Sequence, residues 1–140
     1  MITLETIKTR LQAQTSYTIA FARDREVDLQ EQTELPIVYL GYASIDSKNP
    51  TSPVEHDFLN QHGEDLVQSF HIQTVCAVTQ LPTVWKALHT ALIGWNPTPG
   101  EQYHSGFTYA QGGVMGLSNS KVWWLDVFRI GFPTVNVNFN

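Results

Sequence analysis

The sequence predicts an α+β fold, a mostly antiparallel β-sheet packed against two main helices in a single domain. Three observations carry this prediction. Val84, Leu88, Ala91, Leu92 and Trp95 recur at i, i+4, i+7, i+8 and i+11, the stripe of an amphipathic helix. Apolar or alternating runs at 36–45, 64–78, 107–117 and 122–130 have the pattern of strands. Ser118-Asn119-Ser120-Lys121 separates the last two runs as a turn, so the chain reads helix, strands, helix, hairpin.

The first element is a helix. Thr3 is placed to cap it, Glu5 suits the positive end of its dipole, and Leu4, Ile7 and Leu11 share one face, with Lys8 and Arg10 expected to point outward. Tyr17 to Ala22 alternates with small residues and reads as a strand. Arg23 to Leu35 holds Asp24, Glu26, Asp28, Glu31 and Glu34 with two arginines. Its periodicity decides neither for an exposed strand nor for a loop; it reads first as a solvated face, with an acidic surface toward a channel or a neighbouring subunit as the alternative.

Pro36 to Ile45 is apolar on both faces, as a central strand is. Asp46 to Asp57, with Asn49-Pro50 and Ser52-Pro53, is a loop. Glu64 to Val78 is a long strand with Phe70, Ile72, Cys76 and Val78 on one face and Ser69, His71 and Gln73 on the other. The second helix starts near Pro82, which suits a first helical position, and runs to Ile93, with Gly94 where a C-terminal cap belongs. Asn96 to Gly106 is a connecting loop. Gly112-Gly113 inside the next strand predicts a bulge or a close backbone approach. The last run, Val122 to Ile130, is apolar on both faces apart from Asp126 and Arg129. Residues 131–140 read as a C-terminal arm or edge strand of the same domain, because TVNVNFN alternates apolar residues with asparagine. Trp85, Leu88 and Leu92, with either Trp123 or Trp124, are the expected core between helix and sheet.

Composition narrows the function classes. Charged residues make up only 15% of the chain, so some of the surface is expected to face other protein. The net charge of -5, with basic residues scattered from Lys8 to Arg129, argues against duplex DNA or anionic lipid as a main partner. One cysteine, Cys76, permits no internal disulfide and fits a reducing compartment. Met1 to Gln14 contains Glu5 and lacks the continuous apolar core of a signal peptide. The uncharged run Leu66 to Trp85 carries too many polar residues, among them Gln68, His71 and Gln73, to lie in lipid.

Catalytic and metal chemistry is expected to be absent. Glu55, His56, Asp57, His62, Glu64 and Asp65 are the one histidine–acid cluster, but their spacing is irregular and most fall in predicted loop. A small metal-dependent hydrolase built on that region is the weaker alternative. No serine sits in a nucleophile elbow, Cys76 falls on an apolar strand face, and no phosphate-binding glycine pattern is present. Asp126, set in an apolar strand, needs a partner. It is read as an acid paired across the sheet or across a subunit contact, or else as an active-site carboxylate. Arg129 is close in sequence but on the opposite strand face. Trp123 and Trp124, being adjacent, must face opposite sides, and Trp85 and Trp95 add further aromatic surface of the kind that anchors interfaces.

A helix ending in Leu88–Gly94-Trp95, then Pro97, Tyr109, Gly112 and Gly113, then Val122-Trp123-Trp124 with Asp126 and Phe128, resembles phage tail terminator proteins. The resemblance covers about residues 84–130 and an N-terminal helix and strand of similar layout. It implies a non-enzymatic virion protein that ends tail-tube polymerisation as a ring, usually a hexamer, with no catalytic residues, cofactor or metal. The implied partners are other copies of the chain, the tail tube protein and the head–tail connector, with DNA passing through the lumen without specific binding and no membrane. The implied place is the head-proximal end of the tail, reached by assembly in the host cytoplasm. Another connector or tail-completion ring protein is the nearest alternative. The candidate structural or interface residues are Trp85, Leu88, Trp95, Trp123, Trp124, Asp126 and Arg129.

Overall fold

A computed structural model of the chain describes residues 2–22, 36–47, 65–97 and 106–133. The acidic stretch Arg23–Leu35, most of the Asp46–Asp57 loop, the histidine–acid cluster up to Glu64, and residues 134–140 lie outside the described residues. Helix α1 is Leu4–Gln14, followed by β1 (Thr18–Phe21), β2 (Ile37–Ser47) and β3 (Asp65–Ala77). Helix α2 is Leu81–Leu92, and β4 (Thr108–Ser118) and β5 (Lys121–Pro133) close the domain. The sheet order is β1-β2-β3-β5-β4, with β1 parallel to β2 and every other pair antiparallel. The expected α+β class is the observed one.

Both helices cover one sheet face. Ile7 and Leu11 of α1 and Val84, Leu88, Ala91 and Leu92 of α2 are buried against Val38, Leu40, Phe70, Ile72, Cys76, Phe128 and Ile130. Burying each large side chain of this kind contributes about 1.5–3 kcal/mol. Thr3 caps α1 as expected, its hydroxyl accepting from the Thr6 amide at 3.4 Å. Lys8 and Arg10, however, fold back onto the protein instead of pointing outward. Lys8 Nζ lies 4.8 Å from the Phe21 ring centroid, and the Arg10 guanidinium lies 5.2 Å from the Trp95 ring while Nε donates to the Ala91 carbonyl at 3.0 Å. Their long stems cover apolar surface while the charge meets an aromatic face or an orphan carbonyl near the end of α2. Gln68, fully buried, exchanges two hydrogen bonds with the backbone of Ile2 and so ties the N-terminus to β3.

Val78 does not continue β3. The strand ends at Ala77, whose amide donates to Gln80 Oε1, and a short 3-10 turn over Val78–Gln80 leaves Val78 exposed. Gly94 caps α2 at φ +79, and the chain then bridges to Phe107 through Gly94 N–H and Phe107 N–H bonds. The β4–β5 turn pairs Ser118 with Lys121 and puts Asn119 at φ 50 and Ser120 at φ 66, the pattern of a two-residue type I′ hairpin turn. Register shifts between Tyr109 and Gln111 and between Val114 and Gly116 flank the paired glycines. Gly131, Phe132 and Pro133 continue β5 opposite Asp65–Val67. On the other sheet face Ile37, Tyr39 and Val75 form a second small cluster with Ala20, Ala22 and Trp123. Among the described residues, no helix is long and apolar enough to cross a membrane.

Candidate functional site

The most unusual chemistry gathers around Asp126, which is 0% exposed in the middle of β5. A carboxylate at that depth requires donors. Trp124, two residues earlier and therefore on the same strand face, donates Nε1–H to Oδ1 at 2.8 Å. Tyr109 on β4 donates its hydroxyl to the same oxygen at 3.0 Å. The carboxylate is thus paired across the sheet, with none of these donors supplied by Arg129, which is exposed on the opposite face.

Helix α2 supplies the third neighbour. His89 Nε2 stands 3.6 Å from Asp126 Oδ2, beyond hydrogen-bond reach, and both atoms are buried without a hydrogen-bond partner. Burial holds the His89 pKa below its usual 6.5, outweighing the opposite pull of Asp126, so the imidazole is neutral at pH 7 and the contact is not an ion pair. Burial first, and the Asp126 charge second, push the Tyr109 phenol upward, which keeps its proton on the bond to Oδ1. His89 is also the centre of an aromatic stack. Trp85, one turn earlier, stacks on it at 3.7 Å between centroids with the planes inclined by 28°, and Tyr109 and Phe128 approach at 4.5 Å and 5.0 Å.

Gly112 explains why this cluster needs a glycine. It stands opposite Asp126 in the β4–β5 ladder, and a Cβ there would overlap the Tyr109 hydroxyl and sit 2.5 Å from Asp126 Oδ1. Gly113 has open space at the same point. The close approach expected from the glycine pair is therefore made by Gly112 alone.

The remaining candidates scatter around this centre. Leu88 is fully buried in the main core. Trp85 is not a core residue: it is 37% exposed, because it lies on the flank of α2, where it covers His89 and meets the Tyr109 ring of β4 edge-on at 6.2 Å. Trp95 stacks on Phe107 at 5.6 Å and 9°. Trp124 is on the helix side but half-buried and engaged by Asp126, whereas Trp123 packs against the opposite-face cluster. Neither tryptophan belongs to the apolar core between helix and sheet, since the space under α2 is filled by Val122, Phe128 and Ile130 from the same strand.

Sequence reasoning missed His89. The searchable signal was its spacing, i+4 from Trp85 and one residue beyond Leu88, which places it at the border of the buried stripe. One neutral imidazole, one carboxylate and one phenol fasten α2 to the edge strand. Among the described residues, no serine or cysteine is seen bonded to His89, and no three His, Cys, Asp or Glu side chains converge as metal ligands. Cys76 is buried in the core, and burial raises its thiol pKa.

No protein-family model matches the chain, and no curated protein matches it by sequence. Among solved structures, one chain of the virion of a native gene transfer agent particle is similar, with a TM-score of 0.55 and 13% identity. The alignment covers 91% of this chain and 92% of that chain, so the likeness extends to the whole fold.

Proposed function

We propose that this protein is a structural component of a phage-type virion, and more specifically a tail terminator that caps the tail tube as a ring. The observation that carries the first step is the likeness, along nearly the full length of both chains, to a subunit of a gene transfer agent virion. The second step rests on the tail-terminator resemblance of residues 84–130, in which Gly112, Trp124 and Asp126 form one contact set. On this reading the Asp126 cluster is a non-catalytic fastening of α2 to the edge strand. Trp85, half-exposed at its rim, is then offered to a neighbour together with Trp95 and Arg129.

The ring is hexameric on this reading, stops tube growth, and presents its other side to the head connector while DNA passes through without specific contacts. Its place is the head-proximal end of the tail, and it performs no catalysis. A connector or tail-completion ring shares the same fold argument and differs in position. Deleting the gene from a producing strain tests the assignment. Headless tails of uncontrolled length are expected, and finished particles with tails of normal length would refute it.

A further inference from the structure

Among the described residues, both edges of the sheet are open over part of their length. On one side β4 is the last strand, and it carries Val114, Met115 and Leu117 at 55%, 50% and 66% exposure. Its eleven residues, Thr108–Ser118, contain no charge and no proline, two of the devices that keep an edge strand from pairing, although its two register shifts bend the strand locally. On the other side β1 covers β2 only from Ile37 to Leu40. Among the described residues, no strand pairs with the outer edge of Tyr42–Ser47, where Tyr42 and Ile45 are 52% and 50% exposed.

The directions of these edges match. From β2 through β3 and β5 to β4 each neighbour is antiparallel, so β2 and β4 run in opposite senses. A second copy in the same orientation, set beside the first, therefore meets β4 with its β2 in an antiparallel sense, and the alternation continues without a break. Two different edges of one subunit joined in this way make a heterologous contact, the kind that closes into a ring. No like-charge clash opposes the contact locally, because Asp46 is the only charge on either segment.

We propose that the outer edge of β4 pairs with the Tyr42–Ser47 half of β2 in a second copy of this chain, burying Met115 and Leu117 against Ala43 and Ile45. The open half of β2 stands level with the start of β4 rather than with Val114–Leu117. The second copy is therefore displaced along the strands, as strands that slant around a closed barrel require. This contact deepens the ring reading above and can fail independently of it.

Cysteine trapping in the full chain tests it, because Cys76, the only native thiol, is buried. Ile45→Cys and Met115→Cys are each placed at an exposed position, and unchanged unfolding midpoints establish that both variants fold. Under oxidation at about millimolar protein, a concentration that captures contacts as weak as a millimolar Kd, each variant alone is expected to stay unlinked. Their mixture gives linked dimers, and the double variant gives a ladder of multimers. Linking by Met115→Cys alone identifies a β4–β4 dimer and overturns the proposal, as does a mixture that stays unlinked. Native mass of the wild-type chain separates the two ideas. A ring without the 45–115 link removes this contact and leaves the terminator reading, whereas 45–115 linkage in chains that leave tail length unaltered on gene deletion keeps the contact and removes the terminator.

Discussion

Gly112→Ala is the smallest change that reaches the Asp126 cluster. The new methyl would overlap the Tyr109 hydroxyl, lie 2.5 Å from Asp126 Oδ1 and stand 3.2 Å from Trp124 Nε1. Tyr109 is the group that can yield, since it is 37% exposed and on the edge strand. Swinging it outward removes its hydrogen bond to a buried carboxylate, a loss of about 1.5–3 kcal/mol. It also breaks the ring contacts with His89 and Phe128, which pairs of this kind value at about 0.5–1.5 kcal/mol each. These losses overlap, so the expected destabilisation is about 2–4 kcal/mol. Gly113→Ala is the internal control. Nothing lies within 4 Å of its added Cβ, and its φ is not positive, so it should be neutral or stabilise by up to about 1 kcal/mol. Denaturant unfolding followed by tryptophan fluorescence reads both variants. In Gly112→Ala with Tyr109→Phe the closest overlap is gone, so the double loss should be smaller than the sum of the single losses. Equal midpoints for Gly112→Ala and wild type, or equal losses at positions 112 and 113, would refute the packing argument.

Other variants probe the remaining parts of the account. Leu88→Ala, at a fully buried position, should cost about 2–5 kcal/mol, and an unchanged unfolding midpoint contradicts its place in the core. Because His89 in the folded chain has a pKa below 6.5, the unfolded chain takes up that proton first. Its contribution is thus intact above pH 6.5 and is lost as the pH falls from there toward the folded value. Unfolding midpoints between pH 7.5 and 5 should therefore fall more steeply for wild type than for His89→Phe, about one step of pH on each side of 6.5 being enough to see it, and parallel slopes contradict the assignment. Ser120→Gly should stabilise by about 0.5–1 kcal/mol, the left-handed penalty less glycine's greater loss of backbone freedom, while Asn119→Val should destabilise. Thermal unfolding of the pair checks the turn type.

The elements legible in the sequence were those whose pattern is local. The α2 stripe, Gly94 at its end and the Ser118–Lys121 turn each follow from a few neighbouring residues, and each is present. What depends on non-local pairing was not legible. That β1 lies parallel to β2, Thr18 beside Ile37, is a pairing between residues well separated in sequence, which no periodicity encodes. The same holds for the site. A partner for Asp126 could be demanded from burial alone, but Tyr109 and His89 reach it from another strand and a helix, so sequence distance hid them. Trp85 was misplaced for a related reason: it is apolar and near the helical stripe, yet the position i+4 from it is a histidine that needed a cover. Lys8 and Arg10 show that a charged residue on the flank of a helix can serve its stem to apolar surface.

The most direct measurement of the central claim is a reconstruction of the neck of assembled particles, with the chain located in density. A single ring of six copies is expected between the last tube layer and the head connector, with β4 of each copy facing β2 of the next. Finding the chain along the whole tube, in the capsid, or as one copy at the tail tip would contradict it.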